Sequence, residues 1–137
     1  MKLAEYGKTY NSDGKMIYSC QYHVIFAPKY RRKVLKDGVD VRMKELILEN
    51  QEKWKYKIIE MEIMPDHVHL LIESNPKFGI YNQINRIKGL TSNVLRKEFA
   101  WLKKRLPTLW SRSKFISTVG TVSLDVVKSY IENQKNQ

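Results

Sequence analysis

Two runs of alternating apolar residues, Tyr56 to Met64 and His67 to Ser74, meet at Pro65-Asp66. Successive strand side chains point to opposite faces, so each run has one apolar face, and a Pro-Asp pair between them suits a tight turn. A β-hairpin is predicted there, which commits the middle of the chain to antiparallel pairing. The other segments fit around it. Met16 to Ala27 sets Tyr18, Cys20, Tyr22, Val24 and Phe26 on one face of a period-2 pattern that Pro28 ends. Val39 to Trp54 instead spaces Val39, Met43, Leu46, Ile47 and Trp54 as one stripe of a helix.

Downstream of the hairpin, Gly79 to about Trp101 returns to a helical period through Ile80, Ile84, Ile87, Val94 and Leu95, with Arg86, Lys88, Arg96 and Lys97 on other faces. A linker around Pro107 follows, then a short strand from Lys114 to Val119. Ser123 is a suitable N-cap, with Asp125 in the first turn, for a last helix that carries Tyr130. The order strand, helix, strand, strand, helix, strand, helix predicts an α+β fold. Its expected form is ferredoxin-like, an antiparallel sheet with packed helices and a C-terminal helix bearing the tyrosine. At 137 residues, one domain spanning 1–137 is expected.

Lys and Arg outnumber Asp and Glu by 25 to 14, a formal charge of +11 that favours a polyanionic partner such as nucleic acid or an acidic membrane surface. The single cysteine, Cys20, excludes an intramolecular disulfide and a thiolate zinc cage. The polar start and the lack of any apolar run of membrane-spanning length lead to the expectation of a cytoplasmic protein with no membrane partner.

Two of the three histidines, His67 and His69, stand two apart on the second hairpin strand. Both imidazoles project to the same side, roughly 7 Å apart at the backbone, and can converge on one ion, while Val68, Leu70 and Ile72 anchor the opposite face. His23 falls on a strand face with Ser19, Gln21 and Ile25, and a lone histidine of that kind reads as structural rather than ligating. Near the C-terminus, Tyr130 and Gln134 share a helix face while Glu132 points away. Should that face cover the histidine strand, Gln134 can offer an amide oxygen to the ion and Tyr130 a phenol beside it. Ligands without formal charge leave a divalent ion its full charge for a phosphodiester. Basic residues form two groups, Lys29, Arg31, Arg32 and Lys33 with Tyr30, and Arg86, Lys88, Arg96 and Lys97 with Tyr81, suited to phosphate contact and base stacking. Three classes fit these residues: a tyrosine strand transferase, a metal-dependent nuclease using water, and a non-catalytic binder of single-stranded nucleic acid.

YHVIFAPKYRRKVL, MPDHVHLLIE and FISTVGTVSLDVVKSYIENQ, in that order, resemble the first strand, the HUH strand and the tyrosine helix of the single-tyrosine HUH transposases, the transposase A proteins of small single-strand-DNA insertion sequences. FGIYNQINRIKGLTSNVLRKEF is similar to the long helix of that family. The resemblance implies Tyr130 as nucleophile and His67, His69 and Gln134 as ligands of Mg or Mn. It further implies transesterification through a 5'-phosphotyrosine link, DNA hairpins at element ends as substrate, and a homodimer with sites completed in trans. Two positions depart from the family pattern: Ala27 replaces a cysteine common before the proline, and Lys114 stands where relatives often carry an uncharged residue.

Overall fold

The computed structural model describes residues 10–120, so Tyr130, Gln134 and the final helix lie outside the described residues. The elements in chain order are β1 (Asn11–Ser12), β2 (Ile17–Tyr18), β3 (Gln21–Phe26), α1 (Val39–Glu49), β4 (Tyr56–Met64), β5 (His67–Ser74), α2 (Ile80–Glu98), α3 (Ala100–Arg105) and β6 (Phe115–Thr118). β1 and β2 form a small hairpin, and the other four strands make one sheet in the order β4-β5-β3-β6, antiparallel throughout. With α1 and α2 as crossovers this is the ferredoxin-like arrangement the element order predicts.

The β4–β5 hairpin has the predicted bounds, Met64 pairing with His67 across the Pro65-Asp66 turn. Its inner face is fully buried at Val68, Leu70 and Ile72. That face joins Val24 and Phe26 of β3, Met43 and Ile47 of α1, and Ile84, Ile87 and Leu95 of α2 in one apolar core. Each such side chain contributes on the order of 1.5–3 kcal/mol when withdrawn from water, which holds both helices on this side of the sheet.

Three predicted boundaries move, and one expected linker is packed. The first strand divides, because Glu73, buried on β5, accepts from Cys20 N at 2.5 Å and from Asn11 Nδ2 at 2.8 Å, drawing the chain out of a continuous ladder. α1 stops at Glu49 rather than reaching Trp54: the Asn50 amide turns back to Leu46 O at 2.7 Å, and Gln51 Oε1 accepts from Ile58 N at 2.8 Å. Trp54 still packs half-buried against the core. α2 ends at Glu98, and Phe99 takes an extended backbone before α3 begins. The Phe99 ring lies over Gly38, where φ is +97° and an added Cβ would come within 3.3 Å of Cε1, so the start of α1 requires glycine. The expected linker around Pro107 is anchored, with Leu106, Leu109 and Trp110 buried and Trp110 Nε1 donating to Thr91 Oγ1 at 2.9 Å.

Candidate functional site

Strand register fixes what surrounds the two histidines on the face away from the helices. Met64 stands beside His67, Glu62 and Ile25 flank His69, and Phe115 stands beyond Ile25. The next row carries Glu60, Leu71, His23 and Ser117. His67 and His69 are both half-buried and project to the same side, as their spacing predicts.

Each imidazole already has a partner. His67 Nδ1 lies 2.9 Å from Asp66 Oδ1, and since a carboxylate only accepts, the ring nitrogen donates. In the neutral ring the lone pair is then at Nε2. That hydrogen bond from His67 comes first, and the nearby Arg31 charge assists, in holding the Asp66 carboxyl below the usual range. Arg31 Nη2 itself lies 3.1 Å from Asp66 Oδ2. His69 Nε2 approaches His23 Nδ1 at 3.1 Å, the rings stacked with centroids 5.2 Å apart. Burial first, and His23 second, hold His69 below the ordinary histidine value. His23, expected to be structural, is thus brought directly against the His-x-His pair.

A cleft of about 540 Å³ opens beside His67, lined by Ile25, Ala27, Arg31, Lys114 and Phe115 among others. Its walls combine two cations with Phe115, which is 57% exposed, so it offers charge to a phosphate and a flat apolar ring to a base. A second cleft, of about 530 Å³, lies where Trp54, Lys77, Phe78, Asn82 and Arg86 meet. Phe78 follows the far end of β5, seven residues of rise from His67 to Ser74, or roughly 23 Å from the first cleft along the strand.

The eight basic residues expected to touch DNA do not share one environment. Arg31, Arg32 and Lys33 are exposed in the loop after β3, and Lys29 is half-buried with its ammonium 5.6 Å from the Tyr30 ring centre. Arg86 and Lys97 are exposed on α2, and Arg86 lines the second cleft. Arg96 is half-buried, its Nε enclosed without a hydrogen-bond partner among the described residues. Lys88 departs from expectation: it is 9% exposed, donates to Ser111 O at 2.8 Å and lies 5.9 Å from the Phe26 ring centre. Its amine fastens the 111–114 loop from beneath and is not placed to meet a phosphate. Burial, and then Lys114, push its pKa down. Lys114, one of the two departures from the family pattern, sits 4.4 Å from the ring centre of Tyr81, so that tyrosine already has a cation on its face.

Sequence reasoning passed over Asp66, Phe78 and Phe115. Asp66 was available as a signal, an acid directly preceding the first histidine; Phe78 and Phe115 gain meaning only from what folds beside them. Among the described residues no three His, Cys, Asp or Glu side chains gather to hold a metal ion. No helix among them is long and apolar enough to cross a membrane.

Comparison with known proteins makes the class of this basic, ferredoxin-like chain with its paired histidines definite. The sequence profile described as "Transposase IS200 like" matches residues 16–134. ISDra2 transposase TnpA of Deinococcus radiodurans is 32% identical over 123 residues, covering 88% of each chain. The transposase for insertion sequence element IS200 of Salmonella typhimurium is 35% identical over 120 residues, covering 85% of this chain and 78% of the relative. A crystal structure of a Deinococcus radiodurans protein described as a transposase superposes with a TM-score of 0.71 at 30% identity, covering 90% of this chain and 97% of that one. A REP-associated tyrosine transposase bound to a REP hairpin shares the fold at 14% identity, with a TM-score of 0.59 over 98% of this chain and 74% of the other. The chain belongs to the IS200-like transposase family, and the activity that goes with membership is DNA transposition.

Proposed function

We propose that this transposase cleaves and rejoins single-stranded DNA at insertion-sequence ends by transesterification through Tyr130. The observation that supports the reading is that half-buried His67 and His69 project to the same side of β5 and that His67 lines a cleft flanked by Arg31 and Lys114. The donor set fits a divalent metal, Mg or Mn: two imidazoles, one with its second nitrogen held by a carboxylate, to be completed by the Gln134 amide. When bound, such an ion polarises a phosphodiester and lowers the pKa of a nearby phenol.

The chain's own residues do the rest. The Tyr130 oxygen attacks phosphorus, the bond to the 3'-oxygen breaks, and a 5'-phosphotyrosine and a free 3'-hydroxyl result, the phenol's proton balancing the departing alkoxide. A 3'-hydroxyl from another strand reverses the step, so neither ATP nor water is consumed. Arg31 and Lys114 attract the backbone, while Phe115, and Phe78 beside Arg86, offer surfaces for unpaired bases. Hairpins at the element ends are the proposed substrate, consistent with the hairpin held by the REP-associated structural neighbour. We further propose a homodimer in which the Tyr130 segment of one subunit completes the site of the other.

The test is a denaturation-resistant protein-DNA adduct formed on a single-stranded element end. It is expected to require Mg or Mn, to map to Tyr130 by mass spectrometry and to vanish in Tyr130→Phe. Cleavage that survives in Tyr130→Phe would replace this reading with a water-using nuclease. Tight binding without any cleavage by the wild type would leave a non-catalytic binder.

A further inference from the structure

We propose that Asp66 and Arg31 are positioning residues that hold His67 in its Nδ1–H tautomer, so that the Nε2 lone pair is the one offered to the divalent cation. The inference rests on the metal reading above and deepens it. Arg31, expected from sequence to touch DNA, acquires a second task besides that contact.

The geometry forms a relay of two bonds. Arg31 Nη2 lies 3.1 Å from Asp66 Oδ2, and the other carboxylate oxygen accepts from His67 Nδ1 at 2.9 Å. A free histidine ring prefers its proton on Nε2, which would leave the lone pair on Nδ1, turned back toward the hairpin turn. An acceptor at Nδ1 reverses that preference, the way ligating histidines are usually oriented by a neighbouring carboxylate. The two carboxylate oxygens divide the work, one fixed by the guanidinium and one facing the ring.

The backbone supports both partners. The turn that carries Asp66 is tied to the loop after β3 by Leu35 N donating to Pro65 O at 3.0 Å. On that loop Tyr30 and Arg31 both adopt left-handed backbone, with φ of +60° and +50°, a conformation that successive non-glycine residues rarely share. It is maintained by Arg31 N donating to Pro28 O at 2.8 Å and by Lys29 N donating to Leu109 O at 2.9 Å. The strained loop thus sets Arg31 over the turn next to the histidines. Stability does not account for the pair: the Arg31 side chain is 70% exposed, and ion pairs so open to water contribute little to folding.

The experiment uses the full-length chain with 15N-labelled histidine, free of metal, about two pH units above the ordinary histidine value. Two-bond proton-nitrogen correlations are expected to show His67 protonated at Nδ1 in the wild type and shifted toward Nε2–H in Asp66→Ala. Asp66→Asn keeps an accepting oxygen and is expected to retain most of the Nδ1–H form. Arg31→Ala is expected to shift the balance partway, and Arg31→Lys to restore it. In parallel, Mn2+ binding followed by electron paramagnetic resonance is expected to weaken about 10–100-fold in Asp66→Ala and only a few-fold in Arg31→Ala, with thermal midpoints close to wild type.

A wild-type His67 protonated at Nε2, or an Asp66→Ala variant with unchanged tautomer and Mn2+ affinity, overturns the proposal. A wild type that shows the Nδ1–H form but binds no Mn2+ overturns the metal reading, and the ligand role with it. The tautomer, measured without metal, tells that failure apart from a failure of the relay.

Discussion

The two faces of the four-stranded sheet are built from the same strands yet obey different constraints. On the helix side, Val24, Val68, Leu70 and Ile72 have no exposed surface and meet one another and the helices as apolar volume. On the other side the same strands present His67, His69, His23, Glu60 and Ile25, where polar groups are matched by distance and donor type rather than by volume. One face packs against the helices, and the other carries the paired histidines beside a cleft lined by Arg31, Lys114 and Phe115. Over His67 to Leu70, where burial alternates, that division predicts that stability and activity separate by residue parity.

The sharpest way to break the comparison is on β5. Leu70→Ala is expected to destabilise the fold by about 2–5 kcal/mol, the lost transfer energy plus the cavity left behind. That is a large part of the roughly 5–15 kcal/mol available to a domain of this size. His67→Ala, three residues away on the opposite face, is expected to change stability by about 1 kcal/mol or less, as its Asp66 contact is partly open to water. It is nevertheless expected to abolish adduct formation while sparing most DNA affinity. Denaturant titration and the adduct assay, run on both variants, check the pair. Equal loss of stability in the two would erase the distinction between the faces.

Much of this division was legible in sequence because alternation is a local property. The β4–β5 hairpin kept its predicted ends, since the period-2 pattern and the Pro65-Asp66 turn agree. What escaped was set by partners distant in sequence. Glu73 divides the first strand from 53 residues away, and Phe99, the extended residue after α2, lays its ring over Gly38. Lys88 could have been placed correctly: Ile84, Ile87, Lys88, Thr91 and Leu95 form one helical stripe, and all are buried. A lysine within such a stripe reads as internal once charge is set aside. Asp66 was seen as a turn residue only, although its neighbour was a proposed ligand. For Tyr130 and Gln134 the resemblance carried the reading, and both lie outside the described residues.

A smaller contrast of the same kind runs along α2. Arg86 is exposed in the second cleft whereas Lys88, two positions on, is bonded to Ser111 O. If affinity for single-stranded DNA is measured over a range of salt, Arg86→Ala is expected to reduce the slope of log affinity against log salt by about one. Lys88→Met is expected to leave the slope unchanged, because an amine already bonded to a carbonyl neutralises no phosphate. An equal change in both would mean that the loop over Lys88 opens when DNA binds.

The least effect expected is in the pH dependence of stability, and Lys88 again decides its sign. Burial, then Lys114, lower its folded-state pKa below the ordinary 10.5, so between those two values the unfolded chain binds the more protons. Stability there rises with pH. Tyr18, Tyr22 and Tyr56 act in the opposite sense, since burial raises all three, and above their ordinary value of 10.0 the folded chain is the one that holds protons. Denaturation midpoints are therefore expected to climb modestly where folded Lys88 loses its proton below 10.5, and to turn down as pH passes the ordinary values of Cys20, 9.0, and of the tyrosines, 10.0. Lys88→Met is expected to remove the climb and keep the downturn. A climb that persists without Lys88 would place its origin in another buried cation and would return Lys88 to the solvent-facing side of the helix.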